Sequence, residues 1–196
     1  MKILAFADPH GDGQALEEIR KKSDNADLII CVGDLTVFGH EQQKLIDFLD
    51  NIGKEIIMLH GNHEDKNSLK KMCEKSNNIK FFHNEVVDLI DVVLVIHGGG
   101  GFSSRSSSFE ANKEEFGKAI KGKKSLFITH APPHNTKLDV PYDKYHCGSK
   151  SYREFIDKFQ PTIALCGHIH ECFGKKEKIG KTIAVNPGPK GMIISL

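Results

Sequence analysis

Eight runs of consecutive apolar residues narrow the folds that are open to this 196-residue chain. Each run has the length of a β-strand, and its apolar residues mostly follow one another instead of alternating with polar ones. Strands of this kind are covered on both faces, as in layered α/β proteins. The runs therefore predict buried strands at residues 2–7, 27–32, 55–60, 92–97, 125–130, 162–167, 182–186 and 192–196.

Segments with helical periodicity lie between several of these runs. In residues 41–53, for example, Leu45, Leu49 and Ile52 fall on one face of a helix. Strands that alternate with helices predict an α/β fold, and this pattern alone leaves a three-layer arrangement open. The predicted helices are residues 14–23, 41–53, 65–76, 110–121 and 149–159.

Two segments are predicted to be long loops. Residues 97–110 contain four glycines and five serines, which favour a flexible loop. Residues 130–149 form a loop longer than compact domains usually contain without a functional reason. Loops beside a rigid site often set specificity, so this second loop offers candidates for a pocket wall or lid, namely His134, Lys137, Tyr142 and His146.

The composition argues against several classes of protein. With 27 basic and 26 acidic residues, the chain has no excess charge to attract nucleic acid. Its five cysteines are odd in number and form no C-x-x-C pair, which argues against disulfides and a thiolate zinc site. The first apolar run is shorter than that of a signal peptide, and no stretch approaches the length of a membrane span. We therefore expect a cytoplasmic protein with one domain, residues 1–196, and no membrane partner.

Polar side chains with metal-binding chemistry follow five of the predicted strands. Because ligands gather beyond the carboxyl ends of strands in open sheets, we expect these side chains to converge on one site. They are Asp8 and His10 after the first strand, Asp34 after the second, Asn62 and His63 after the third, then His130, and finally His168 and His170.

The oxygen and nitrogen atoms of this set suit borderline divalent metals such as Zn²⁺, Mn²⁺, Fe²⁺ or Ni²⁺. Seven ligands besides His63 are more than a single open catalytic metal uses. Two metals that share a bridging carboxylate would use them all, and such a pair suits phosphoryl chemistry.

The same residues resemble the signature of the calcineurin-like metallophosphoesterase superfamily. Longer stretches also resemble its Icc-related predicted phosphoesterase branch, and the resemblance runs essentially from end to end. The superfamily motifs are Asp8-x-His10, Gly33-Asp34, Gly61-Asn62-His63-Glu64, His130 and Gly167-His168-x-His170. The branch motifs are residues 33–39, 129–139, 146–161, 166–171 and 185–189.

This resemblance implies a fold and a role for each residue. The fold is a four-layer αββα sandwich in which two packed mixed sheets lie between helices. Asp34 bridges two divalent metal ions, and a bridging hydroxide attacks the phosphoester. His63 is not a ligand and acts on the phosphate, either by stabilising charge or as the general acid. The ligands of one metal are Asp8, His10 and His170, and those of the other are Asn62, His130 and His168.

The chain departs from the Ser/Thr protein phosphatases of this superfamily at one position. Those enzymes support the catalytic histidine with an aspartate three residues after the bridging one, and this chain has Val37 there. Glu64 or Asp65 could orient His63 instead, or could be acidic residues at a helix N-terminus.

Two further residues are candidates for substrate binding. His97 ends a predicted strand and precedes four glycines whose backbone N–H groups could face a phosphate, although a structural histidine fits as well. Arg105 could hold a phosphate in a bidentate contact, or could be a solvated surface residue.

Three enzymatic activities fit this chemistry. A phosphodiesterase acting on cyclic nucleotides or small diesters comes first, because the branch resembles cyclic-nucleotide phosphodiesterases. A phosphomonoesterase or nucleotide phosphatase comes next, and a nuclease third, since the chain offers no basic stripe. The alternative of another class is a non-catalytic interaction scaffold of the same fold. Neither the metal nor the oligomeric state is indicated by the sequence.

Overall fold

The computed structural model of the protein describes residues 1–142 and 145–196. Its first sheet has five strands in the order β11-β1-β2-β3-β4. The strands β1 to β4 are parallel, and β11 pairs antiparallel with β1, with Lys2 opposite Ser195. They are β1 (Lys2–Phe6), β2 (Leu28–Cys31), β3 (Ile56–Met58), β4 (Ile79–Phe81) and β11 (Met192–Ser195).

The second sheet has six strands in the order β5-β6-β7-β8-β10-β9. Its four inner strands are parallel, and the two edge strands β5 and β9 pair antiparallel with their neighbours. The strands are β5 (Glu85–Leu89), β6 (Val92–His97), β7 (Ser125–Thr129), β8 (Ile163–Leu165), β9 (Lys176–Ile179) and β10 (Thr182–Val185).

The two sheets pack face to face, and helices cover both outer faces. In β1, Ile3 and Ala5 belong to the core between the sheets, whereas Leu4 and Phe6 belong to the core beneath the helices. Alternate residues of one strand thus enter two different cores, which explains why the run is apolar throughout. The first sheet carries α1 (Gly13–Ser23), α2 (Gln42–Asp50) and α3 (Lys66–Cys73), and the second carries α4 (Ser107–Ala119) and α5 (Lys150–Phe159).

The predicted four-layer αββα sandwich is confirmed, and the three-layer alternative is not. Each of the eight predicted strands lies within its apolar run, and the five helices lie at the predicted places. The predicted loop 97–110 is too long, because α4 begins at Ser107. Ser106 caps this helix, since its Oγ accepts a hydrogen bond from the Phe109 N–H at 3.3 Å.

The predicted loop 130–149 contains no helix or strand among its described residues, and Asp143 and Lys144 lie outside the description. The described part of the chain has no helix with the length and apolar character that crossing a membrane requires. Four of the five cysteines are buried, and none of the five is in a disulfide.

Candidate functional site

The residues predicted from the strand ends come together at one edge of the sandwich. Among the described residues, three overlapping groups have ligand atoms within 4.8 Å of one another. Asn62 joins them, because its Oδ1 lies 3.0 Å from Nε2 of His130. The groups are Asp8 with His10 and His170, His10 with Asp34 and His63, and Asp34 with His130 and His168.

The backbone of this edge is unusual. Asp8, His10, Asp34 and His168 have φ angles of 57°, 45°, 52° and 69°, in the left-handed region that residues other than glycine seldom adopt. Such conformations cost free energy and are retained where the surrounding structure enforces them, often at functional sites. The motif glycine Gly61 permits the close approach, because a Cβ there would overlap Oδ1 of Asp34.

Backbone carbonyls orient two of the histidines. Nδ1 of His10 donates to the Thr36 carbonyl at 2.9 Å, and Nδ1 of His130 donates to the Val32 carbonyl at 2.9 Å. In the neutral form of each ring the proton is on Nδ1, and Nε2 then presents a lone pair to the centre of the site. Metal-binding histidines are oriented in this way by a hydrogen bond from their other nitrogen.

His168 is held through its backbone. Its N–H donates to both carboxylate oxygens of Asp8, at 3.0 and 2.9 Å, while its Nε2 is buried and finds no hydrogen-bond partner among the described residues. Nε2 of His170 lies 3.2 Å from Nε2 of His10, whose proton is on the other nitrogen. A buried imidazole nitrogen with no hydrogen-bond partner among the described residues is the kind of group that a cation satisfies.

Burial and the close charges shift the pKa values of the carboxylates in opposite directions. Burial raises the pKa of Asp8 to about 6. Burial acts in the same sense on Asp34, but the hydrogen bond and charge of His130 lower its pKa to about 2. Asp34 therefore carries a negative charge at the centre of the site across the neutral pH range.

The histidines respond in the same electrostatic field. Burial alone would lower the pKa of His130, but its hydrogen bond to Asp34 and the charges of Asp34 and Asp8 raise it to about 9. Burial, reinforced by the charge of His130, lowers the pKa of His168 to about 4. His168 is therefore neutral at neutral pH, the form in which an imidazole can bind a metal, whereas His130 would release the proton of Nε2 on binding one.

Glu64 organises the two loops that meet at this site. It is buried, and its Oε2 accepts hydrogen bonds from the backbone N–H groups of Asp34 at 3.0 Å and Gly61 at 2.9 Å. Its Oε1 accepts from the N–H and the hydroxyl of Thr36, at 2.9 and 2.8 Å. The neighbouring Asp65 instead caps α3 by accepting from the Ser68 N–H. Glu64 thus joins the loops after β2 and β3.

Phe38 supports His63, a contact that no pattern in the sequence indicates. The two rings stack with centroids 4.1 Å apart, and the Phe38 N–H donates to Nδ1 of His63 at 3.4 Å. A neutral His63 therefore carries its proton on Nε2, which lies 3.9 Å from Oδ2 of Asp34. The position of the missing supporting aspartate, Val37, is 46% exposed.

A cavity of about 290 Å³ opens above these residues. Sites for drug-sized ligands begin at roughly 300 Å³, and this cavity is at that lower limit. Its volume therefore suits a small group, such as a phosphoryl group with part of one ester group. The lining includes Asp34, Asn62, His63, Phe102, Pro141, His168, His170 and Glu171.

The two candidate substrate-binding residues do not line this cavity. His97 is buried, with Nδ1 3.1 Å from Oδ1 of Asn84 and Nε2 3.1 Å from Oγ of Ser106. Arg105 forms ion pairs with Glu110 at 2.8 Å and Glu154 at 2.6 Å. The structure thus places both residues in contacts that join parts of the fold.

The donor set fits two divalent cations. Carboxylate, amide and imidazole groups converge without a thiolate, which is the chemistry that Zn²⁺, Mn²⁺ and Fe²⁺ share as ligands. Two observations support this fit. Within residues 1–142 and 145–196, Nε2 of His168 is buried and has no hydrogen-bond partner, and the Nε2 atoms of His10 and His170 lie 3.2 Å apart.

Comparison with known proteins gives the same answer. The model of the calcineurin-like phosphoesterase family matches residues 1–172. The chain is 35% identical over 208 residues to the uncharacterized protein MJ1162 of Methanocaldococcus jannaschii, covering 99% of this chain and 91% of that protein.

Solved structures share the fold at lower identity. A dimetal phosphatase from Danio rerio has a TM-score of 0.65 at 10% identity, covering 94% of this chain and 86% of that one. An archaeal phosphodiesterase has a TM-score of 0.51 at 17% identity, covering 96% and 84%. The family uses two divalent metal ions. The chain therefore belongs to the calcineurin-like phosphoesterase family and is a dimetal phosphoester hydrolase.

Proposed function

We propose that this protein hydrolyses small phosphodiesters, cyclic nucleotides among them. Asp34 would be shared by two divalent cations, either Mn²⁺, Fe²⁺, Ni²⁺ or Zn²⁺. Asp8, His10 and His170 would hold one of them, and Asn62, His130 and His168 would hold the other. When bound, the cations supply positive charge for the phosphoryl group and for the activation of water.

The side chains around the cations supply orientation and electrostatic stabilisation. Nε2–H of His63 faces Asp34 across 3.9 Å and donates a hydrogen bond to a phosphoryl oxygen in the cavity. The Phe38 N–H donates to Nδ1 of His63, so Nδ1 acts as an acceptor and carries no proton of its own. The proton of the neutral His63 ring is therefore on Nε2. Glu64 keeps the loops of Asp34 and Asn62 in register.

One observation supports a diester over a monoester. The described residues that line the cavity include neither lysine nor arginine, and they do include the acidic Glu171. A phosphomonoester carries close to two negative charges at neutral pH, whereas a diester carries one. Without a cationic side chain to match the second charge, the diester is the better fit. The same absence argues against a nuclease.

A comparison of two chromogenic esters tests this proposal. Metal-stripped protein is restored with Mn²⁺, Ni²⁺, Zn²⁺ or Mg²⁺ and assayed on bis(4-nitrophenyl) phosphate and on 4-nitrophenyl phosphate. We expect metal-dependent hydrolysis with a higher kcat/KM for the diester. Asp34→Asn should lower it at least about a hundredfold, because the charge that holds the cations together is lost.

Each other outcome selects an alternative. Hydrolysis of the monoester alone would make the protein a phosphomonoesterase or nucleotide phosphatase. Bound metal without hydrolysis of either ester would favour the interaction scaffold. The organisation of residues 1–196 as one domain and the cytoplasmic location stay predictions.

A further inference from the structure

A second cavity lies beside the first, in the part of the chain formed by the two long loops. It has a volume of about 380 Å³ and shares one wall, Phe102, with the cavity above the candidate metal residues. The Phe102 ring meets the His168 ring edge to face at 4.4 Å. A molecule whose phosphate occupies the first cavity can therefore extend across Phe102 into the second. The other lining residues include Ser104, His134, Tyr145, His146 and Lys150.

A buried carboxylate holds the wall of this cavity in place. Asp139 is fully buried and accepts hydrogen bonds from the N–H groups of Asn135 at 3.0 Å, Thr136 at 2.9 Å and Gly148 at 3.0 Å. It also accepts from Nδ1 of His146 at 2.7 Å. Since the Nδ1–H of His146 is committed to Asp139, its Nε2 is the nitrogen left for a ligand.

Aromatic surface is the most distinctive property of the second cavity. Phe102 is 68% exposed and Tyr145 is 57% exposed, although both belong to the lining of a concave site. Exposed aromatic faces stack on planar rings, and this stacking tolerates different ring types. The hydroxyl of Ser104, Nε2 of His146 and the ammonium group of Lys150 supply hydrogen-bonding atoms for the edge of such a ring.

We propose that the second cavity binds a planar heteroaromatic ring, of the class of a nucleobase, carried by one ester group of the substrate. Tyr145 and Phe102 supply the stacking surfaces, and Lys150 and His146 contact the heteroatoms of the ring. The inference rests on the proposed function of the first cavity, because the phosphate held there fixes how far the ester group reaches. The substrate is then a nucleotide-like phosphoester and not a simple alkyl ester.

Competition between two phosphates that differ only in the base tests this inference. Adenosine 5′-monophosphate and ribose 5-phosphate are compared as competitors of bis(4-nitrophenyl) phosphate hydrolysis by the metal-loaded protein, using initial rates. We expect the adenosine compound to compete at least about tenfold more strongly, since stacking of one base typically contributes that much or more. Tyr145→Ala and Lys150→Ala should each bring the ratio of the two inhibition constants closer to one.

Matched controls come from the same chain. Tyr142 belongs to the same loop as Tyr145, is 87% exposed and lines neither cavity. Tyr142→Ala and, for the lysine, Lys121→Ala should therefore keep the wild-type ratio. A ratio that falls equally in the control variants would overturn the assignment of Tyr145 and Lys150.

A second measurement separates this inference from the proposed function. Adenosine is titrated into the metal-free protein while the NMR signals of Tyr145 and His146 are followed. Adenosine should shift both signals in the wild-type protein, and it should no longer shift the His146 signal in Tyr145→Ala. This result would support binding of the base in the second cavity even if no ester is hydrolysed. Active enzyme on which both phosphates compete equally, with no adenosine shifts, would overturn the inference and leave the proposed hydrolysis intact.

Discussion

At the scale of single residues, the site divides into side chains that line the first cavity and side chains that hold the loops. The first kind could be predicted, because Asp34, Asn62 and His63 follow apolar runs and have ligand chemistry. The second kind could not. Glu64 is adjacent to His63 in the sequence, yet its hydrogen bonds go to backbone N–H groups of both loops, and no side-chain pattern records such partners.

Glu64→Gln tests this positioning role. The amide group of glutamine would place its NH₂ against backbone N–H donors, and a buried donor without an acceptor costs about 1–3 kcal/mol. We expect the free energy of unfolding, measured in urea, to fall by about 2 kcal/mol and the affinity for Mn²⁺ to weaken. If Glu64 only stabilised the fold, its replacement would lower the free energy of unfolding without weakening the affinity for Mn²⁺.

The adjacent acid supplies the control. Asp65 accepts a hydrogen bond from the Ser68 N–H at 2.8 Å, and asparagine can accept the same bond. Asp65→Asn should therefore leave metal affinity unchanged. Equal metal affinity in Glu64→Gln and the wild-type protein would rule out the positioning role of Glu64.

At the scale of elements, burial decided which strands could be predicted. The eight predicted strands have long apolar runs, whereas β4, β5 and β9 were missed. Two of the three residues of β4 and all of β5 are at least partly exposed, and β9 begins with Lys-Glu-Lys. Edge strands that face solvent carry polar residues, and they therefore resemble loops. The strand order could not be predicted from the sequence either, because β10 inserts between β8 and β9 and β11 crosses to the other sheet.

His97 connects two elements and predicts a pH dependence of stability. It ends β6, and its Nε2 lies 3.1 Å from Oγ of Ser106, the N-cap of α4. Burial, with the charges of His83 and His60, lowers its pKa to about 3. Besides these two histidines, its ring packs near Tyr152 and Phe109 and contacts Asn84.

The sign of this effect follows from the direction of the shift. An unfolded histidine titrates near pH 6.5, so between about pH 6.5 and 3 the unfolded chain binds a proton that the folded chain does not. The contribution of His97 to stability is therefore complete above pH 6.5 and is lost as the pH falls, by up to about 1.4 kcal/mol per pH unit. His97→Asn should reduce the slope of unfolding free energy against pH between 6.5 and 5.

Urea unfolding at several pH values measures this slope in the wild-type protein and the variant. The exposed histidine His40 provides the control, and His40→Asn should keep the wild-type slope. An identical slope in His97→Asn would show that the buried imidazole does not exclude its proton.

At the scale of the whole molecule, two parallel sets of strands bring their carboxyl ends to one edge. Residues as distant as Asp8 and His168 meet there, with the N–H of His168 donating to both oxygens of Asp8. Parallel pairing explains why the ligand residues of one sheet converge. The face-to-face packing of two sheets could be predicted only from the resemblance to a family. The left-handed backbone of Asp8, His10, Asp34 and His168 had no signal in the sequence, because it depends on contacts between loops that are distant along the chain.

We propose that this edge holds two divalent cations around Asp34 and that hydrolysis requires both. The most direct test is a titration of metal-stripped protein with Mn²⁺, in which bound ions per chain are counted while the rate on bis(4-nitrophenyl) phosphate is read at each point. We expect two ions per chain, a rate that rises with the second ion, and loss of at least one ion and of activity in Asp34→Asn. Full activity with one ion or none, or two ions bound unchanged in Asp34→Asn, would contradict it.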